Sequence, residues 1–289
     1  MKSDLIPFAF LFPFHSVFSV IVSLAFTLIL TGCPSEQTSA PPSAGEKQSS
    51  DNLTLTIVYD NYPGPENLKP DWGFACLIEG LEKTILFDTG GNGPILLENM
   101  RQLNLDPQKI DLIVISHVHG DHTNGLESIL MLRPQLPVYI PAGFPESFKQ
   151  KVRSLGSPLF EGENSVRILP AARTTGTLGH SAIVEQGLCI KTADGWVLIT
   201  GCAHPGVDNL AQKAQNITPE QLYMVLGGFH MASYSDSQVN AVIDKFQSLG
   251  ITHAAPTHCT GDNARNLFKK RLAEKCTLPH LGYAFSFPK

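Results

Sequence analysis

The stretch Ser116-His117-Val118-His119-Gly120-Asp121-His122 carries four side chains able to bind a metal ion within six residues. In extended backbone, residues i and i+2 face the same way, so His117 and His119 can grip one ion. If the chain then turns into a helix, Asp121 and His122 swing to a neighbouring position. A carboxylate oxygen and an imidazole there suit a second divalent ion. Gly120 lets the backbone turn without a side-chain clash. Imidazole with carboxylate makes zinc the expected metal, and iron or manganese also fit. Two such ions would lower the pKa of a shared water and supply hydroxide near neutral pH, with Asp121 orienting it. The reaction expected is hydrolysis of an ester, lactone, amide or phosphoester of a small molecule.

Further histidines fall in similar places. His204 follows the apolar run ending in Ile199-Thr200-Gly201, His230 follows Leu226-Gly227-Gly228, and His258 follows the short run ending at Pro256. Side chains at one end of several strands of a layered α/β fold converge on one crevice. Four separate strand ends sharing a histidine therefore point to a single centre. Gly227-Gly228 is expected to admit a substrate closely, with His230 as a substrate contact or proton donor. No glycine-rich phosphate loop or dinucleotide fingerprint accompanies these residues, so an organic redox cofactor is not indicated.

Elements must bring these positions together. Leu53–Tyr59, Phe74–Glu79 and Thr84–Phe87 read as strands, the last two forming a hairpin through Gly80–Lys83. Asp111–Ser116 is a continuous apolar run suited to a strand buried on both faces. Val138–Ile140 and Val166–Leu169 are short strands. Gly187–Thr192 and Trp196–Thr200 flank Asp194-Gly195, a tight-turn signal. Leu222–Leu226 and Thr252–Pro256 complete the strands. Helices are expected over Pro94–Leu105, Pro145–Leu155, from near Pro205, and over Asp236–Leu249 and Asp262–Glu274. Hairpins first and alternating strands and helices later indicate sheets covered by helices, a mixed α/β architecture.

The His-x-His-x-Asp-His pattern after an apolar strand resembles the signature of the metallo-β-lactamase fold, and Leu86-Phe87-Asp88-Thr89-Gly90 resembles that family's upstream element. The segments at 72–79, 85–92, 116–126, 199–206, 227–231 and 256–264 look more narrowly like the branch around dihydropterin-ribofuranosylaminobenzene-phosphate synthase. The resemblance implies an αββα four-layer sandwich with two divalent ions at one sheet edge. It implies that His117 and His119 hold the first ion and that Asp121 and His122 hold the second. His204 would complete the first site or bridge the two, and His258 would complete the second. Asp88 would hydrogen-bond a ligand imidazole and fix its tautomer. The sequence departs from the broad pattern where the usual late Gly-Asp is replaced by Gly201-Cys202. There either Cys202 ligates, His204 does, or only one site is full. His204 is the favoured reading, with Cys202 packing at the strand end and His180 as an alternative third ligand. Three functions stay open: a metal-dependent hydrolase, favoured; a transferase like the branch's namesake; and a non-catalytic metal- or ligand-binding lipoprotein.

Leu5–Leu30 is almost wholly apolar behind Lys2 and ends in Leu30-Thr31-Gly32-Cys33. This ending looks like a bacterial lipobox. Residues 1–32 are then a lipoprotein signal peptide, with an uncleaved membrane anchor as the rival reading, Cys33 a lipid anchor, 33–52 a Ser- and Pro-rich flexible tether, and 53–289 a metallo-β-lactamase-like domain. The protein is expected to be exported and held at a membrane, in the periplasm or at the cell surface. With 21 Lys and Arg against 26 Asp and Glu and no basic cluster, nucleic acid is not the expected partner. Disulfides among Cys76, Cys189, Cys202, Cys259 and Cys276 stay open.

Overall fold

A computed structural model describes residues 52–179 and 183–288. The expected signal peptide, Cys33, nearly all of the tether and His180 lie outside the described residues. Among those described, no helix is long and apolar enough to cross a membrane.

The first half builds one sheet. Its strands are β1 (Asn52–Tyr59), β2 (Ala75–Glu79), β3 (Ile85–Phe87), β4 (Leu112–Val114), β5 (Val138–Pro141) and β6 (Leu159–Gly162). Helices α1 (Gly93–Gln102), α2 (Gly120–Thr123), α3 (Leu126–Leu132) and α4 (Glu146–Ser154) are interspersed. The second half contributes β7 (Arg167–Leu169), β8 (Ala172–Thr174), β9 (Leu188–Thr192), β10 (Gly195–Thr200), α5 (Val207–Ile217), β11 (Leu222–Gly228), α6 (Asp236–Ser248), β12 (His253–Thr257) and α7 (Asp262–Leu272). The last strand, β13 (Ala284–Pro288), returns to pair antiparallel with β1. The two sheets run β13-β1-β2-β3-β4-β5-β6 and β12-β11-β10-β9-β8-β7.

Three apolar layers hold the four-layer αββα sandwich together. Leu55, Phe87 and Val114 of the first sheet meet Ile190, Ile199 and Leu226 of the second between the sheets. Leu96, Met100, Ile129 and Val152 pack helices against the outer face of the first sheet. Leu210, Val239, Phe246 and Phe268 do the same for the second. Strands β4, β10 and β11 are largely apolar because both faces are covered. The five described cysteines are all buried free thiols.

Differences from the sequence reading have local causes. The helix expected from Pro205 begins at Val207, because Gly206 before it adopts φ 94. Strand β11 extends through both glycines to Gly228. Helix α7 starts at Asp262 as expected but ends at Leu272, because residues 273–275 form a 3-10 turn. Strands β6, β8 and β13 and helix α3 were not anticipated, since each is short or carries its apolar residues without a clear period.

The parallel strands β3, β4, β10, β11 and β12 end at one edge of the sandwich, where the chain turns into Asp88, His117, Cys202, His230 and His258 in turn. Leu226 is fully buried between the sheets. Leu226→Ala is expected to lower stability by about 2–5 kcal/mol, read as a fall in the urea midpoint at unchanged slope. An unchanged midpoint would contradict its place in that layer.

Candidate metal centre

Two clusters of donor atoms lie side by side at this edge. His117, His119 and His204 form one; Asp121, His122, Cys202 and His258 form the other, and within each the donor atoms lie within 4.8 Å of one another. In the first, His119 Nδ1 stands 3.1 Å from His117 Nε2 and 3.2 Å from His204 Nε2. In the second, Asp121 Oδ2 is 3.4 Å from both His122 Nε2 and His258 Nε2, and Cys202 Sγ is 3.3 Å from His122 Nε2.

The backbone delivers these groups by distinct devices. After β4 the chain stays extended through His119, which has φ −62 and ψ 146, and then enters α2. His117 and His119 therefore point together, and the helical turn carries Asp121 and His122 to the adjoining cluster. Thr89 fastens α2 from outside, donating its backbone N–H (2.8 Å) and its hydroxyl (2.9 Å) to the His122 carbonyl. Asp88, Ala203, His230 and His258 have φ of 56, 64, 54 and 50, so four of the seven described non-glycine residues with positive φ stand here. Such conformations persist where surrounding structure imposes them, and they gather at functional sites. Gly201 lets two strand ends touch: a Cβ there would meet Ser116 Oγ at 2.1 Å.

Oxygen acceptors behind the rings decide which nitrogen faces inward. Asp88, fully buried, accepts from the Ser116 amide (2.7 Å), the Ser116 hydroxyl (2.7 Å) and His122 Nδ1 (2.7 Å). With its own proton given to Asp88, Ser116 Oγ accepts from His117 Nδ1 at 2.9 Å. Asn61 Oδ1 accepts from His258 Nδ1 at 2.9 Å, and its amide donates to the His258 carbonyl at 3.3 Å. His117, His122 and His258 are thus anchored through Nδ1 and turn Nε2, the nitrogen a metal would bind, towards the centre. His258 Nε2 is buried without a hydrogen-bond partner among the described residues.

The electrostatics are those of a place made for cations. Burial, followed by the like charges of His122, His204 and His119, holds the His117 imidazole well below its ordinary value. Burial, with His230 and His119 next, brings His204 down to about 4. Burial opposes charge on His122, but Asp88 and Asp121 on either side pull it up to about 10. Burial raises the Asp121 carboxyl, yet His122 and His258 outweigh it and hold it well below the carboxylate range. Contact with Cys259 and burial both push the Cys202 thiol up, so a thiolate there needs a cation beside it.

These residues fit divalent metal. Nitrogens bound at roughly 2.0–2.1 Å around a tetrahedral zinc stand about 3.3 Å apart, close to the spacing in the first cluster. Where these inward nitrogens carry no proton, their lone pairs repel unless a cation lies among them. The orphaned His258 Nε2 and the mixed thiol, carboxylate and imidazole set of the second cluster meet the same need.

The sequence reading and the geometry differ at two points. Cys202 and His204 do not compete for one role, since each enters its own cluster; Cys202 joins the second cluster and does not merely pack. Gly227-Gly228 admit neighbouring protein in place of substrate, because a Cβ on Gly228 would meet the Gly201 carbonyl at 2.3 Å and Cys259 Sγ at 2.8 Å. His230 belongs to neither main cluster; it is exposed, its ring lies 4.3 Å from that of His204, and it forms a third group with Cys259 and Cys202 of the second cluster. Asn61 and Glu185 gave no sequence signal, and Trp72 entered only as the first residue of the 72–79 resemblance. Trp72 is 56% exposed with its ring 5.0 Å from the His258 imidazole. A cleft of about 1100 Å³ opens beside His204, with Glu163, Asn209, Gln212 and Lys213 on its walls.

Asp88→Asn is expected to weaken divalent-ion binding by about 10–100-fold, because the amide cannot accept all three hydrogen bonds. Isothermal titration of the metal-free chain with Zn²⁺ measures it, and wild-type affinity would remove Asp88 from the support of the rings.

Residues 70–238 match the family pattern described as the Metallo-beta-lactamase superfamily. The chain is 29% identical to the 7,8-dihydropterin-6-methyl-4-(beta-D-ribofuranosyl)-aminobenzene-5'-phosphate synthase of Methanocaldococcus jannaschii, over 82% of this chain and 97% of that one. Its fold is similar to a crystal structure described as a metal-dependent hydrolase of the beta-lactamase superfamily, with TM-score 0.69 and 24% identity over 82% of this chain and 100% of that one. It is also similar to a metallo-beta-lactamase fold protein from Bacillus subtilis, with TM-score 0.61 and 14% identity over 82% of this chain and 100% of the other. With this match, two helix-covered sheets and the paired donor clusters at one sheet edge, the chain belongs to the metallo-beta-lactamase superfamily.

Proposed function

We propose that this protein is a hydrolase that uses two divalent ions, preferably zinc, to cleave an ester, lactone, amide or phosphoester of a small molecule. His117, His119 and His204 would hold one ion, and Asp121, His122, Cys202 and His258 the other. The observation that carries this reading is the convergence of donor lone pairs on two adjoining points, with His117, His122 and His258 anchored from behind through Nδ1. Ions held there lower the pKa of a bound water and polarise the oxygen of the scissile group.

The chain's own groups do the rest. Asp121, whose side chain is 20% exposed and faces both His122 and His258, would orient the attacking water by accepting a hydrogen bond from it. Contact with Cys259 lifts the His230 imidazole above its ordinary value, which keeps a proton available for a leaving group at higher pH. The exposed Trp72 ring offers an apolar surface beside His258, and the cleft next to His204 offers polar walls for the remainder of a substrate.

The name of the Methanocaldococcus jannaschii relative supports a second reading, a condensation that builds a pterin-containing product. One set of measurements separates the two. Metal analysis of the full-length chain is expected to find close to two ions. Chelation should abolish hydrolysis in a panel of esters, lactones, phosphodiesters and β-lactams, and Zn²⁺ should restore it. His119→Ala should lose at least one ion and about 100-fold or more of the rate, a loss of roughly 2.7 kcal/mol in transition-state stabilisation. A chain without bound metal would refute the reading, and a pterin-dependent condensation without hydrolysis would install the second.

We also propose export and anchoring through a lipid on Cys33, supported by the apolar run ending in Leu30-Thr31-Gly32-Cys33. In a bacterial host fed labelled palmitate, the wild-type chain should take up label and Cys33→Ser should not. Equal labelling of both would end that proposal.

A further inference from the structure

The segment from Gly201 to His204 sends one side chain to each cluster, Cys202 to the second and His204 to the first. Two residues so close in sequence serve two ions only if the backbone between them bends sharply. The bend is at Ala203, whose φ of 64 lies in the region that side chains other than glycine disfavour. A left-handed residue in such a run turns successive N–H groups towards one side, forming a concavity that suits an anion.

A carboxylate fills that concavity. Glu185 Oε1 accepts from the amides of Cys202 (3.0 Å) and Ala203 (2.7 Å), and Oε2 accepts from that of His204 (2.8 Å). Glu185 is fully buried, and its backbone exchanges two 2.8 Å hydrogen bonds with Leu178. The next residue ties this support to the other half of the centre. Gln186 donates its backbone N–H to the Ser116 carbonyl at 3.0 Å and its side-chain amide to the Ile115 carbonyl at 3.0 Å, just before His117. Residues 185 and 186 therefore join the loop carrying His117 and His119 to the loop carrying Cys202 and His204.

We propose that Glu185 is a positioning residue for both ions: its carboxylate holds three consecutive amides and thereby aims the Cys202 thiol and the His204 imidazole. The proposal rests on the two-ion reading above. Glutamine is nearly the same size, but its NH₂ would face amide donors and leave at least one N–H unpaired. Aspartate keeps both acceptor oxygens on a shorter stem.

The test loads metal-free, full-length chain with Co²⁺, whose thiolate-to-metal absorption reports a cysteine ligand; its loss in Cys202→Ser assigns the band to Cys202 and not to Cys259. Wild type should bind close to two ions and show the thiolate band. Glu185→Gln should bind Co²⁺ about 10–100-fold more weakly and lose most of that band. Glu185→Asp should recover part of it, and it stands in if the glutamine variant does not fold. Leu55→Ala, a destabilised control in the layer between the sheets, should melt at lower temperature and keep the band. Undiminished affinity and band in Glu185→Gln would overturn the proposal. So would loss of the band in Leu55→Ala in proportion to its fall in melting temperature, because Glu185 would then be structural only. Absence of Co²⁺ binding and of the thiolate band in wild type would instead refute the two-ion reading.

Discussion

An imidazole is useful to a cation only if its remaining proton is held elsewhere, and the architecture of this centre follows from that requirement. Asp88, Ser116 and Asn61 stand behind the rings of His122, His117 and His258 and take the Nδ1 protons. Each acceptor must itself be buried or well anchored, because a mobile or hydrated oxygen would let the ring turn. Asp88 meets this by ending β3 in a left-handed conformation and receiving three short hydrogen bonds. The inward lone pairs then leave a set of groups that are poorly satisfied by one another and well satisfied by divalent ions.

The sandwich exists to hold those acceptors and rings in register. Parallel strands from both sheets finish at the same edge, so residues far apart in sequence meet within a few ångströms. Apolar layers on both sides of each sheet make the strand ends rigid, and the loops leaving them can carry unfavourable backbone angles at Ala203, His230 and His258. Close contacts between loops at Gly201 and Gly228 complete the fit, since either would collide with neighbouring atoms if it bore a side chain.

What the sequence disclosed follows the same physics. His117, His119, Asp121 and His122 were legible because one loop supplies them at a spacing that backbone geometry alone interprets. His204 and His258 were legible as polar residues placed where a buried strand ends. Strands with continuous apolar runs and helices with clear caps were also readable. The role of Cys202 was not, since a buried thiol after a strand serves packing equally well until its neighbours are known. Glu185 acts on backbone amides of a loop seventeen or more residues away, and amides leave no trace in a sequence. Asn61 sits in a loop without a motif, and β13 is fixed by pairing with a strand at the far end of the domain.

The sulfur of Cys202 makes the two halves of the proposed centre unequal in durability. Three imidazoles resist peroxide, whereas a thiol progresses through sulfenic to sulfinic acid, and the latter step is irreversible for most proteins. If the proposed export places the chain in oxidising surroundings, ageing would therefore strip the mixed half first and leave a one-ion remnant. Such a protein would wear out chemically while still fully folded, and its working lifetime would be set by how well a bound ion shields one sulfur atom.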